Sequence, residues 1–138
     1  MQFIDKVAQL TAAERIFAAR AWLLAPVVEA SLYATGLDTT MRWIERAPRR
    51  RRAAAVDPIR GEGLVGTAFR YHPLLRGTCL ARSVAQYVLH RSDGTRATLV
   101  VGVRRQGADL KAHSWVEPTA SAPPDGPYEP ILRAESVP

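Results

Sequence analysis

The chain has 138 residues, 47% of them hydrophobic, and carries 19 Lys and Arg against 13 Asp and Glu for a formal charge of +6; that is enough for one ordinary core and too little for two comfortable domains. The basic excess is mostly arginine and permits an acidic partner without naming one. A single cysteine rules out an internal disulfide, and no Cys/His grouping has the spacing of a closed zinc site, which together point to the reducing cytoplasm.

The start, Met1-Gln2-Phe3-Ile4-Asp5, lacks the basic region, apolar run and cleavage site of a secretory signal. Thr11 followed by Glu14 is a capping-box pattern ahead of Ile16, Phe17, Ala19 and Leu23, so a helix is predicted to start near Thr11. The most apolar stretch, Ile16 to Ala34, is interrupted by Arg20, Pro26 and Glu29 and reads as a buried or partner-facing helix, not a membrane span. Pro26 is a kink or a second start. Gly36, Asp38, Thr39 and Thr40 read as a stop and a new cap before a short helical turn over Met41 to Arg46. Of the apolar side chains here, Ile16, Phe17, Leu23, Leu24, Val27 and Val28 are expected to pack against a later helix, the alternative being a partner or a second copy.

From Pro48 to Gly66 the chain holds the run Arg49 to Arg52, then Asp57-Pro58, Gly61, Gly63 and Gly66, with little periodic apolar content. It is read as a solvated surface connection, with docking of an acidic segment as the functional alternative. Residues 1–70 therefore form a helical region and basic linker, and 71–138 the rest of one compact domain.

Thr78 to Arg91 carries Leu80, Val84, Tyr87 and Val88 at helical spacing, a single buried stripe. Arg96 to Arg104 alternates as a strand, with Ala97, Leu99, Val101 and Val103 on one side. After the turn Gln106-Gly107-Ala108-Asp109, a second strand over Leu110 to Glu117 places Lys111, His113, Trp115 and Glu117 on a common face. Pro118 ends that strand, a Pro-rich loop holds Asp125, and Tyr128 to Leu132 returns as a third, edge strand. The fold class is α+β: a helical N-terminal region, then a cysteine helix on a small antiparallel sheet.

Cys79 follows Thr78 at the first turn of its helix, where unpaired N–H groups and the helix dipole favour a thiolate and are placed to hold an oxyanion. A helical wheel groups it with Arg82, Ser83 and Gln86, off the apolar stripe. A free cysteine is often only a small buried hydrophobe; the helix position, the polar neighbours and a histidine on a later strand argue for a nucleophile with His113 as base. His90 is too far along the helix to serve and reads as a cap of its C-terminal end. His72 reads as substrate-side or structural. Among the acids, Glu117 is roughly 13 Å from His113 along the strand, too far for a direct bond. Asp125 can fold back to orient the imidazole, and Glu129 is the fallback.

His72-Pro73, Thr78-Cys79-Leu80-Ala81-Arg82-Ser83, Val101-Gly102-Val103-Arg104 and Ala112-His113-Ser114-Trp115-Val116-Glu117 resemble the transglutaminase-like cysteine proteases that remove leaders in lasso-peptide biosynthesis. The resemblance implies a papain-like or transglutaminase-like core over the second half, a Cys79/His113/Asp125 triad, and cleavage of one bond at a leader and core junction. It also implies a stand-alone protease that depends on a separate leader-recognition protein, with an ATP-dependent cyclase as a further partner. No cofactor, metal or nucleic acid is expected. Acyl transfer to an amine by the same triad, and a non-catalytic partner-binding module with a structural Cys79, are the competing readings. The departures from the family are Ser114, where alanine is more usual, the Pro-rich stretch after Glu117, and the lack of a papain-type glutamine before the cysteine.

Overall fold

A computed structural model describes residues 5, 8–48, 56–73, 78–117 and 128–136. The described residues include three helices, α1 (Ala12–Arg46), α2 (Pro58–Arg70) and α3 (Cys79–Ser92), followed by three strands, β1 (Ala97–Gln106), β2 (Asp109–Glu117) and β3 (Glu129–Ser136). The α+β class and the helical N-terminal region are as the sequence predicts.

Thr11 caps α1 by accepting the Glu14 N–H at 3.2 Å. The helix runs through Pro26 and breaks at Gly36, whose φ of 86° is open to glycine without strain. The chain turns back on itself there. Thr40 Oγ1 bonds the Gly36 carbonyl at 2.8 Å, and Ser31 links Thr40 at 2.7 Å to the Trp43 indole N–H at 2.9 Å. By length and composition alone α1 is apolar enough to cross a membrane, yet Phe17, Ala21, Ala25 and Val28 lie at helical spacing in the protein core. The expected packing of Phe17 and Val28 is observed, whereas Ile16, Leu23 and Val27 remain exposed.

The stretch from Pro58 to Gly66 is not a surface connection. It forms the greater part of α2, because Asp57 caps it by accepting the Ile59 N–H at 2.8 Å and Pro58 occupies the first turn, where a missing N–H costs nothing. Its glycines weaken helical propensity, but tertiary packing overrides them. An added Cβ at Gly61 would stand 2.7 Å from His90 Nε2 and 3.1 Å from Phe17 Cζ, so this glycine lets α2 approach both neighbours. The Arg49 to Arg52 run lies outside the described residues.

The sheet order is β2-β1-β3, all antiparallel, with β1 central. Leu99, Val116, Leu132 and Ala134 point to α3, which is enclosed between the sheet and the two other helices. A single buried stripe therefore underestimates α3: Ser83, Gln86 and His90 are buried along with Val84 and Tyr87. Arg91, also buried, donates to the carbonyls of Glu45 at 2.7 Å and Ala47 at 3.1 Å, satisfying the C-terminal end of α1.

Candidate active site

Thr78 holds extended backbone (φ −61°, ψ 153°) and its hydroxyl accepts the Ala81 N–H at 3.2 Å, while its carbonyl accepts the Arg82 N–H at 3.1 Å. These two bonds leave the N–H groups of Cys79 and Leu80 outside the helical ladder, at the positive end of the dipole. Cys79 is half-buried there, at the first position of the most enclosed helix. The side of α3 that continues from it is not a solvated face. Ser83, one turn along, accepts a 3.2 Å hydrogen bond from Ser114 of β2, and Gln86 donates to the Pro58 carbonyl at 3.1 Å.

The Ser83–Ser114 bond sets how α3 crosses the sheet. Since β1 leaves the C-terminal end of α3 and Thr98 pairs with Glu117 while Gly102 pairs with His113, moving from Glu117 to His113 runs towards the N-terminal end of α3. His113 thus stands one residue beyond Ser114, at the end of the helix that carries Cys79. Strand alternation turns Ser114 and Val116 to the helices and His113, Trp115 and Glu117 to the other face of an edge strand. There the imidazole packs 5.6 Å from the Tyr128 ring and 6.1 Å from the Trp115 ring, centroid to centroid. Gly102 makes room for this cluster, because a Cβ on it would lie 2.9 Å from Tyr128 Cβ and 3.1 Å from the Trp115 ring. Among the described residues no hydrogen bond joins Cys79 to His113.

Of the acids, Glu117 receives the Trp115 indole N–H at 3.4 Å and Arg133 at 3.3 Å. Glu129 opens β3 and is exposed. Asp125, with the Pro-rich loop from Pro118 to Pro127, lies outside the described residues.

A protein-family model described as the Transglutaminase-like superfamily matches residues 17–133. The chain belongs to the transglutaminase-like superfamily. Membership covers α1 as well as the cysteine helix and the sheet, and it suggests cysteine protease or acyltransferase chemistry. No curated protein and no solved structure gives a significant match.

Within this transglutaminase-like chain the other histidines stand apart from Cys79. His72 is buried beyond the end of α2 with its ring 4.6 Å from that of Trp22. His90 does not cap α3. Asp93 is the C-cap, and the His90 ring is fully buried 5.4 Å from that of Phe17, with no hydrogen-bond partner on either nitrogen. Desolvation pushes its pKa down to about 4, against the opposing pull of Asp93 and Asp57, with Arg20 acting in the same direction as burial. Among the described residues no group of three or more His, Cys, Asp or Glu side chains is placed to hold a metal ion. The Ser83–Ser114 contact and the Gly102–Tyr128 packing are not among the features expected from the sequence. A small residue at position 114, beside a histidine and opposite a helical serine, was the available signal for the first.

Proposed function

We propose that this protein is a cysteine peptidase that removes the leader from a ribosomally made lasso-peptide precursor, with Cys79 as nucleophile, His113 as base and Asp125 as the group that orients the imidazole. The observation that carries the reading is the placement of the single cysteine at the capped N-terminus of the central helix, with the His113 strand docked one turn further along that helix through Ser83 and Ser114. Superfamily membership and the Thr78-Cys79 and His113-Ser114-Trp115 motifs support it.

In this reading the Cys79 thiolate attacks the carbonyl at the junction of leader and core, and the N–H groups of Cys79 and Leu80 hold the developing oxyanion. His113 takes the thiol proton and passes it to the leaving amine, giving a thioester on Cys79. Water, deprotonated by the same imidazole, then releases the acid and frees the thiol. In the unliganded protein the imidazole lies on the face of β2 turned from the helices, against Tyr128, so in this reading the Cys79–His113 pair closes fully only when substrate is bound. A separate leader-recognition protein presents the precursor.

The test is incubation of the protein with precursor, with and without the recognition protein, followed by mass spectrometry of the fragments. Cleavage at one bond that needs the partner and disappears in Cys79→Ala is the expected result; full cleavage by Cys79→Ala would end the proposal. Product masses also separate hydrolysis, which adds water, from transfer to an amine.

A further inference from the structure

Gly102 stands within β1, the central strand, where a glycine weakens the sheet and marks a close approach. What approaches is Tyr128, the residue before β3: a Cβ on Gly102 would lie 2.9 Å from Tyr128 Cβ and 3.1 Å from the Trp115 ring. Since β2 and β3 flank β1 on opposite sides, the tyrosine reaches over the glycine from one edge of the sheet to rings carried by the other. Its ring centroid is 5.6 Å from that of His113 and 6.4 Å from that of Trp115. Although these rings share the face turned from the helices, Tyr128 is only 9% exposed.

The two ring contacts of the imidazole differ in what they restrain. Trp115 shares a strand face with His113 and moves wherever β2 carries them both. Tyr128 is anchored across β1, next to the pairing of Glu129 with Val103, and so ties the imidazole to the body of the sheet. Cys79 lies on the other side: Ser114 and Val116 turn to the helices, Ser114 bonds Ser83 of the cysteine helix, and His113 turns away. Covering the fully buried Val100 accounts for Trp115, which pairs with it, but not for a tyrosine laid against the imidazole.

We propose that Tyr128 makes an autoinhibitory contact: lying over Gly102, its ring holds the His113 imidazole away from Cys79 in the unliganded protein, and the pair closes as that contact is broken. The inference rests on the peptidase reading, in which His113 serves Cys79. The reactive arrangement is then a minority state at rest. Its population rises by as much as the Tyr128 contact is weakened, about three- to tenfold for one aromatic pair.

The test is the rate at which iodoacetamide modifies Cys79, the chain's one cysteine, at neutral pH without substrate. Tyr128→Leu keeps an apolar side chain but loses the ring and should raise the rate about three- to tenfold, whereas Tyr128→Phe keeps the ring and should stay within about twofold of wild type. Gly102→Ala leaves the tyrosine in the chain but sets a methyl 2.9 Å from its Cβ, so it should raise the rate too, whatever Tyr128→Leu does to stability. Both rises should vanish when His113→Ala is added, which mere loosening around the cysteine would not show. Circular dichroism confirms the fold of each variant. Rates for Tyr128→Leu and Gly102→Ala within about twofold of wild type, a rise that survives His113→Ala, or a Tyr128→Phe that behaves as Tyr128→Leu would overturn the proposal. Cleavage of the precursor with the recognition protein is measured alongside. A wild type that cleaves through Cys79 but fails the alkylation test keeps the peptidase reading and loses the autoinhibitory contact; a wild type that does not cleave loses both.

Discussion

Lowering the pH should unfold this protein in part through one side chain, His90. Its ring is fully buried between α1 and α2 with no hydrogen-bond partner, and burial pushes its pKa down to about 4 from an ordinary 6.5. Between these values the unfolded chain binds a proton that the folded protein refuses, so stability contributed by the neutral ring is fully present above pH 6.5 and is lost as pH falls towards 4. Going from about pH 7 to about pH 4.5, the linkage amounts to about 2 to 3 kcal/mol. The assay is urea unfolding at both pH values for the wild type and for His90→Leu, which keeps an apolar side chain in the same space. Carboxylates such as Glu14, whose pKa the Arg60 hydrogen bond lowers, titrate in both proteins and cancel in the comparison. The wild type should lose about 2 to 3 kcal/mol more than the variant over this range. Equal losses would show that His90 is not the group that titrates.

Two glycines of α2 should respond to alanine with opposite signs. Gly61→Ala places a methyl 2.7 Å from His90 Nε2 and should cost about 1 to 3 kcal/mol, whereas Gly63→Ala meets nothing within 4 Å and should gain up to about 1 kcal/mol, both read from urea unfolding midpoints. Arg91→Met removes both guanidinium bonds to the end of α1 and should cost about 2 to 4 kcal/mol, with amide exchange rising first around Ile44 to Ala47.

The parts of the fold legible in the sequence were those with strong local signals. Thr11 and Thr78 announced two helix starts, Gly36 a stop before a new start, and the alternation around Leu99 and Val101 a strand whose partners follow it. The second helix was not legible as such, because Gly61, Gly63 and Gly66 carry the composition of a linker. Its sequence signal was the Asp57-Pro58 start; its reason is tertiary, a glycine needed where α2 meets His90. The polar side of α3 misled in the same way. Ser83 and Gln86 look solvated on a wheel, yet each is buried with a partner in β2 or at the start of α2. In the candidate site, the helix start at Cys79 and the shared strand face of His113 and Trp115 could be read directly, whereas a His113 facing the start of that helix was expected and the strand instead turns this face away from the helices. The packing of Trp115 and Tyr128 over Gly102 could not, since it depends on a strand pairing in which β1 is shared by β2 and β3.

Whether Cys79 is an activated nucleophile served by His113 is decided by the rate of its alkylation, because the chain has one cysteine. Iodoacetamide is added at neutral pH to the native protein, to the urea-unfolded chain and to His113→Ala, and the modified fraction is followed by intact mass. Native Cys79 should react faster than the unfolded chain, and His113→Ala should slow it at unchanged fold. A native thiol that reacts more slowly than the unfolded one, and is indifferent to His113, would contradict this and leave Cys79 a structural residue.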